Sequence, residues 1–196
     1  MPWSVLKQSS TSSRRLPADE VTTLAERTLL LLRHSKAQQS PGVPDHDREL
    51  APRGRDDARA VGQWLSDPSR HLALDLVICS TSQRTRQTLE GLVGGGASVS
   101  QERFDERVYD AGVTALLDVL LAVPDSVDIV LLIGHAPGIP MLATELALEG
   151  TGSTEALERL SKGFPTSGLA ILRFVGSWAA LGPETAHLRE FVVPRG

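Results

Sequence analysis

The sequence contains a single cysteine, Cys79, among its 196 residues. One thiol cannot form an intramolecular disulfide, and it cannot build a metal site from cysteine ligands. A chain without disulfides is typical of a reducing compartment, so we predict a cytoplasmic protein.

Long apolar runs and an excess of positive charge are also missing. The longest apolar runs span about five to seven residues, whereas a membrane-spanning helix needs roughly 20. The formal net charge is −4, which provides no general attraction for nucleic acid or for an anionic membrane surface. We therefore predict neither partner, and a small anionic ligand would need a local pocket of positive charge.

The chain divides into a polar start and a regular remainder. Residues 1–26 are rich in serine and charge, and we predict a flexible N-terminal extension. Residues 27–196 are predicted to form a single domain, in which apolar runs typical of strands alternate with helical patterns. The predicted strands are 28–32, 74–78, 127–133 and 169–174, with weaker candidates at 98–104 and 188–193, and the predicted helices lie within 51–67, 82–93, 112–123 and 137–150.

This alternation favours an α/β fold with three layers, in which helices cover both faces of a mostly parallel central sheet. Ligands of such sheets bind just beyond the carboxyl ends of the strands. Three predicted strands end in chemically capable residues: strand 28–32 in Arg33 and His34, strand 74–78 in Ser80 followed by Arg84, and strand 127–133 in His135. We therefore expect these side chains to meet at one edge of the sheet.

The motifs around these residues resemble those of the histidine phosphatase superfamily, which has the phosphoglycerate-mutase-like fold. The segment Arg33 to Ala37, RHSKA, is similar to the R-H-S-K/G-A segment of its small phosphohistidine-phosphatase group. CSTSQRTRQT resembles S-S-P-x-x-R-A-x-Q-T, GHAPG resembles the late G-H motif, and Arg48 to Leu65 and Glu106 to Ala111 resemble two further segments. Ser35 stands where the superfamily usually has glycine, Thr81 where it has proline, and Thr85 where it has alanine.

The resemblance implies a phosphatase that works through a phosphohistidine on His34. A neutral imidazole is a competent nucleophile towards phosphorus, provided that its other nitrogen is held by a hydrogen bond. Arg33 and Arg84 would bind the phosphoryl oxygens through their planar forks, and His135 would donate a further hydrogen bond. Ser80 either donates to the phosphoryl group or ends its strand. We find no metal-ligand spacing, and we predict that no metal or cofactor is needed.

The group that protonates the leaving atom is less well defined by the sequence. Glu106 is the first candidate, because the superfamily often places an acidic residue after the third strand, and Asp105 is the second. A phosphohistidine or another phosphoramidate has a leaving nitrogen that is easily protonated, so such a substrate needs no strong acid.

Other interpretations of these residues remain open at this point. Arg86 is predicted to point away from Arg84, because residues two apart on a helix do not share a face. Lys36 lies either at the rim of the site or free in solvent. Cys79 is predicted to be a core residue, because only four residues separate it from Arg84, one fewer than the C-x5-R loop of cysteine phosphatases requires.

The resemblance leaves two classes of function. The first is a phosphatase whose substrate is a phosphorylated protein, a phosphohistidine in particular, or a small phosphorylated metabolite. The second is a non-catalytic module that binds phosphate or phosphoproteins on the same fold. Few residues separate Glu106 from the strand predicted at 127–133. The chain therefore has little room for the substrate-covering insertion of a mutase, which favours an open, shallow site.

Overall fold

The computed structural model describes residues 25–196, and the larger part of the predicted extension, residues 1–24, lies outside the described residues. Within this range the chain forms six strands and five α-helices. The strands are β1 (Glu26–Arg33), β2 (Leu74–Ser80), β3 (Val99–Asp105), β4 (Ile129–Gly134), β5 (Leu169–Val175) and β6 (His187–Val192). The helices are α1 (Pro52–Leu65), α2 (Gln83–Gly94), α3 (Val113–Leu121), α4 (Gly138–Leu146) and α5 (Thr154–Ser161).

The predicted α/β fold with a mostly parallel sheet is confirmed. The strands follow the order β3-β2-β4-β1-β5-β6, and β1 to β4 are all parallel. The predicted strand 169–174 resembles the parallel strands in its apolar character, but β5 is antiparallel to β1 and β6 is antiparallel to β5. An interior strand that is buried on both faces has the same composition in either direction, which explains the difference.

The four leucines of β1 show why its apolar run is continuous. Leu29 and Leu31 pack into a core on the face that carries α3 and α4. Leu30 and Leu32 pack into a second core on the opposite face, against α1 and α2. Both faces of the central strand are therefore buried, as expected for the middle layer of three.

The four predicted helices are confirmed as α1 to α4, and α5 is an additional helix that the sequence did not reveal. It is only eight residues long. Its first turn is capped by Ser153, whose hydroxyl oxygen accepts a hydrogen bond from the Ala156 amide at 3.2 Å. Within residues 25–196, no helix is long and apolar enough to cross a membrane.

Candidate active site

The parallel register of the sheet brings the two predicted histidines together. Arg33 pairs with Gly134 at the ends of β1 and β4, and the amide of His34 donates to the Gly134 carbonyl at 3.0 Å. The residues that follow this pair, His34 and His135, therefore lie side by side, with ring centroids 5.1 Å apart. β2 lies on the other side of β4 and delivers Ser80 to the same edge.

The loop after β1 is held rigidly around His34. The amide of Ser35 donates to the hydroxyl of Thr88 at 3.0 Å, and the Ser35 hydroxyl lies 2.7 Å from that of Ser167. Gly54 of α1 packs directly on the Lys36 carbonyl, where a Cβ atom would collide with backbone. Ser35 is fully buried, so it replaces the glycine of the motif without entering the pocket.

The tautomer of His34 follows from its hydrogen bond. Its Nδ1 lies 2.7 Å from the Ser35 carbonyl oxygen, and since a carbonyl can only accept, Nδ1 carries the proton. The pKa of His34 is lowered to about 4, by burial first and then by the positive charges of Arg84 and Arg33, against the opposing effect of the Ser35 carbonyl. The ring is therefore neutral at pH 7, and the lone pair is on Nε2.

His135 is held in the opposite tautomer. The Arg84 Nη2 group donates to its Nδ1 at 3.2 Å, so in the neutral ring the proton is on Nε2, which faces the Ser80 hydroxyl oxygen at 2.8 Å. The pKa of His135 is lowered to about 3, by burial first and then by the neighbouring His34 and Arg84.

The structure adds a contact to the interpretation of Ser80. Its side chain is fully buried, and its hydroxyl contacts Nε2 of His135. The structure thus gives Ser80 a contact with the second histidine, and its direct contact with substrate stays a prediction.

The two predicted arginines differ in their partners. Arg33 donates from Nη1 to the Phe164 carbonyl at 2.8 Å, while its Nε is buried and has no partner among the described residues. Burial lowers the pKa of Arg33 below its usual range. A buried donor without an acceptor is costly, and a phosphoryl oxygen would supply the missing acceptor.

Arg84 is engaged by a residue that the sequence analysis did not single out. Its Nη1 donates to the main-chain carbonyl of Asp45 at 2.6 Å, and its Nη2 donates to the Asp45 carboxylate at 2.9 Å. The other carboxylate oxygen accepts from Arg48 at 2.8 Å, and the Tyr109 hydroxyl donates to the first at 2.9 Å. The hydrogen bond from Arg48, with those from Tyr109 and Arg84, lowers the pKa of Asp45 to about 2.

The sequence contains a partial signal for the cluster that Asp45 forms with Arg48, Arg84 and Tyr109. Arg48 and Tyr109 both lie in segments that resemble the superfamily, and Tyr109 is the only tyrosine of the chain. Asp45, however, lies in the long connection between β1 and α1, in a short 3-10 turn over Asp45–Asp47. Its approach to Arg84 depends on how that connection folds back over α2.

The two candidate acids lie where β3 passes into a 3-10 turn, and their role as acid stays a prediction. Glu106 is exposed at the end of β3, and no hydrogen bond or ion pair joins its side chain to another group in the described part of the chain. Asp105 pairs with Arg107 at 2.6 Å and accepts from the Arg107 amide at 3.1 Å. Its pKa is lowered by these hydrogen bonds, so Asp105 stabilises the turn after β3.

The peripheral residues are placed as follows. Arg86 turns away from Arg84, donates to the Thr81 carbonyl at 2.9 Å and stacks on the Phe104 ring at 4.1 Å. Lys36 is exposed. Cys79 is buried in the core, and this burial raises the pKa of its thiol to about 12.

Comparison with known proteins gives a consistent result. The pattern of the histidine phosphatase superfamily (branch 1) matches residues 29–112. An uncharacterized protein of Mycobacterium tuberculosis is 42% identical over 165 residues, covering 84% of this chain and all of that protein. An uncharacterized protein of Mycobacterium leprae is 40% identical over 169 residues, with 84% and 100% coverage.

Two solved structures are similar in sequence and in shape. One is from Nakamurella multipartitia, with 39% identity, a TM-score of 0.74 and coverage of 87% of this chain and 97% of that one. The other is from Agrobacterium tumefaciens, with 28% identity, a TM-score of 0.68 and coverage of 86% and 98%. Both carry a provisional assignment as the phosphohistidine phosphatase SixA.

Proposed function

Because the chain belongs to the histidine phosphatase superfamily, we propose that it is a phosphatase in which Nε2 of His34 accepts the phosphoryl group. The observation that carries this proposal is the hydrogen bond from His34 Nδ1 to the Ser35 carbonyl at 2.7 Å. It fixes the proton on Nδ1 and leaves the lone pair on Nε2, on a strand end that is among the most rigid parts of the fold.

The arginines stabilise the charge of the transferring group. Phosphoryl transfer spreads negative charge over three equatorial oxygens, and catalysis consists mainly of positioning and of electrostatic stabilisation. A guanidinium has five N–H donors, and Arg33 uses one of them in the described part of the chain. Its Nε and remaining Nη donors would bind the phosphoryl oxygens, and Arg84 would contribute from the other side.

His135 can turn from acceptor to donor when substrate binds. As Arg84 moves onto the phosphoryl group, Nδ1 of His135 loses its donor. Nδ1 can then take a proton from a monoanionic phosphoryl group, while Nε2 keeps its own proton and continues to donate to the Ser80 hydroxyl. That Nδ1–H would then donate to a phosphoryl oxygen.

The two chemical steps balance without a metal ion or a cofactor. In the first, the Nε2–phosphorus bond forms, the bond to the leaving group breaks, and its electron pair stays on the leaving atom. The phosphorylated ring keeps its Nδ1 proton and is cationic, which strengthens its bond to the Ser35 carbonyl. In the second, water attacks phosphorus, the electron pair returns to Nε2, and both protons of the water leave with dihydrogen phosphate.

We propose a phosphohistidine of a protein, a phosphoramidate or a small phosphate ester as the substrate. The provisional assignment of two similar structures as phosphohistidine phosphatases supports the first of these. We further propose that residues 27–196 form the single catalytic domain and that the enzyme works in the cytoplasm.

A comparison of the wild type with a His34→Ala variant tests this function. Hydrolysis of a phosphohistidine peptide and of small phosphate esters should fall by about 10⁴-fold or more, because the nucleophile is removed. His187→Ala is the matched control, since His187 contacts Thr151 at 2.8 Å far from the pocket, and it should keep full activity. If wild type and His34→Ala bind phosphate equally and neither turns over substrate, the chain is a binding module instead.

A further inference from the structure

The carboxylate of Asp45 is an anion inside a site that is otherwise built to bind anions. It accepts from the three groups Arg48, Arg84 and Tyr109. The oxygen that faces Arg84 shares the Nη2 group with Nδ1 of His135, at 2.9 Å and 3.2 Å respectively. A single nitrogen, Nη2 of Arg84, therefore links the Asp45 carboxylate to His135, the imidazole that is proposed to bind the phosphoryl group.

Asp45 lies on the solvent side of this site. The Asp45 side chain is 54% exposed, whereas that of Arg84 is 8% exposed and His34 is 9% exposed. In-line displacement places the leaving group opposite the nucleophile. Because His34 is nearly buried and Asp45 is exposed, we infer that the leaving group is directed outwards, towards Asp45 and Tyr109.

We propose that Asp45 determines leaving-group specificity, favouring phosphoramidates such as phosphohistidine over phosphate monoesters; this inference rests on the function proposed above. In a phosphohistidine whose second ring nitrogen is protonated, cleavage of the P–N bond leaves its electron pair on the first nitrogen. The ring departs as neutral imidazole, and its N–H can donate to the Asp45 carboxylate. No proton has to come from the enzyme.

A phosphate monoester makes a different demand. When its P–O bond breaks, the electron pair stays on oxygen as an alkoxide, which needs a proton. The hydrogen bonds from Arg48 and the other donors hold the pKa of Asp45 at about 2, so the carboxylate has no proton to give at neutral pH. Its charge also repels the developing alkoxide and any anionic group of the ester.

The chain offers a matched control for this proposal in the same turn. Asp45→Asn and Asp47→Asn remove one negative charge each, two residues apart. Asp47 contacts His46 at 3.3 Å and is 65% exposed, and it makes none of the contacts of Asp45 with the pocket. Asp45→Glu keeps the carboxylate and completes the set.

The test measures kcat/KM for a phosphohistidine peptide and for glycerol phosphate in each variant. The ratio of the two values should fall about tenfold in Asp45→Asn, which corresponds to about 1.4 kcal/mol. It should stay within about twofold of wild type in Asp47→Asn and in Asp45→Glu. An equal loss on both substrates in Asp45→Asn would overturn the proposal, because it would show that Asp45 only positions Arg84.

A second measurement needs no variant. Across a series of aryl and alkyl phosphates, wild-type kcat/KM should fall steeply as the pKa of the leaving alcohol rises, because no enzymic acid protonates the oxygen. A flat dependence would overturn the proposal while leaving the phosphatase function intact. A wild type that hydrolyses neither substrate class would overturn the proposed function, and this inference with it.

Discussion

β1 has an arginine near each end, and the two arginines differ in how fully their hydrogen-bond donors are paired. Near the start, Arg27 donates to the Gly176 and Val127 carbonyls at 2.7 and 2.8 Å, and it pairs with Asp125 and Asp128 at 3.2 and 3.3 Å. At the end, Arg33 has one carbonyl partner and a buried Nε without any in the described part of the chain.

This difference separates a structural arginine from one that is prepared for a ligand. A buried donor that lacks an acceptor costs about 1–3 kcal/mol, and the fold avoids that cost at Arg27. At Arg33, which lies beside two neutral histidines, one buried donor has no acceptor among the described residues. The hydrogen-bond partners, rather than the burial of the side chain, distinguish the two ends of the strand, and they support the proposed role of Arg33.

Removal of Arg33 should give the largest effect on catalysis. In Arg33→Ala, kcat/KM should fall about 10²–10³-fold, because donors aimed at the transition-state oxygens are lost. Arg33→Lys should recover only part of this loss, since an ammonium group lacks the planar fork. Steady-state kinetics together with thermal unfolding would check this, and a loss of activity explained by unfolding alone would remove the distinction between the two ends.

Removal of Arg27 should lower the stability of the fold and leave catalysis almost unchanged. In Arg27→Ala, the free energy of unfolding should fall by about 2 kcal/mol, because two carbonyl hydrogen bonds are lost. The exposed partners Asp125 and Asp128 add little. Urea denaturation measures the change, and kcat/KM per folded molecule should stay within about twofold of wild type. A tenfold loss in that value would mean that Arg27 also acts in catalysis.

The two histidines beside the Arg33 end of β1 should make the stability of the fold depend on pH. His34 and His135 have folded-state pKa values of about 4 and about 3, against about 6.5 in an unfolded chain. Below pH 6.5 the unfolded chain therefore binds protons that the folded chain does not bind. The free energy of unfolding falls as the pH falls towards 4. The slope should reach about 1.4 kcal/mol per pH unit for each histidine.

Urea denaturation between pH 7.5 and pH 4.5 would measure this slope, with His34→Gln as the comparison. The variant should lose part of the slope below pH 6.5 and match the wild-type slope above it. Identical slopes for the two proteins would show that His34 takes up its proton in the folded state as readily as in the unfolded chain.

Much of the fold and part of the candidate site were predictable from the sequence. The apolar runs and the helical patterns marked six strands and four helices, and the rule that parallel strands share a carboxyl edge predicted that Arg33, His34, Arg84 and His135 would meet. These residues lie on or directly after regular elements, so their positions follow from sheet geometry.

The parts that were not predictable depend on contacts between distant segments. The direction of β5 leaves no trace in a strand buried on both faces. Asp45 reaches Arg84 only through the folding of a loop, and the contact that Ser80 makes depends on its facing His135. The resemblance predicts Glu106 as the acid, but exposure of its side chain and its lack of a partner among the described residues depend on how the turn after β3 folds.

The central claim is that the phosphoryl group passes through His34, and trapping of the intermediate tests it most directly. Wild-type enzyme turning over a labelled phosphohistidine peptide would be quenched in alkali, where a phosphohistidine persists, and the modified residue would be located by mass spectrometry. We predict label on Nε2 of His34, with none in His34→Ala. Label on another residue, or turnover without any labelled enzyme, would contradict the account.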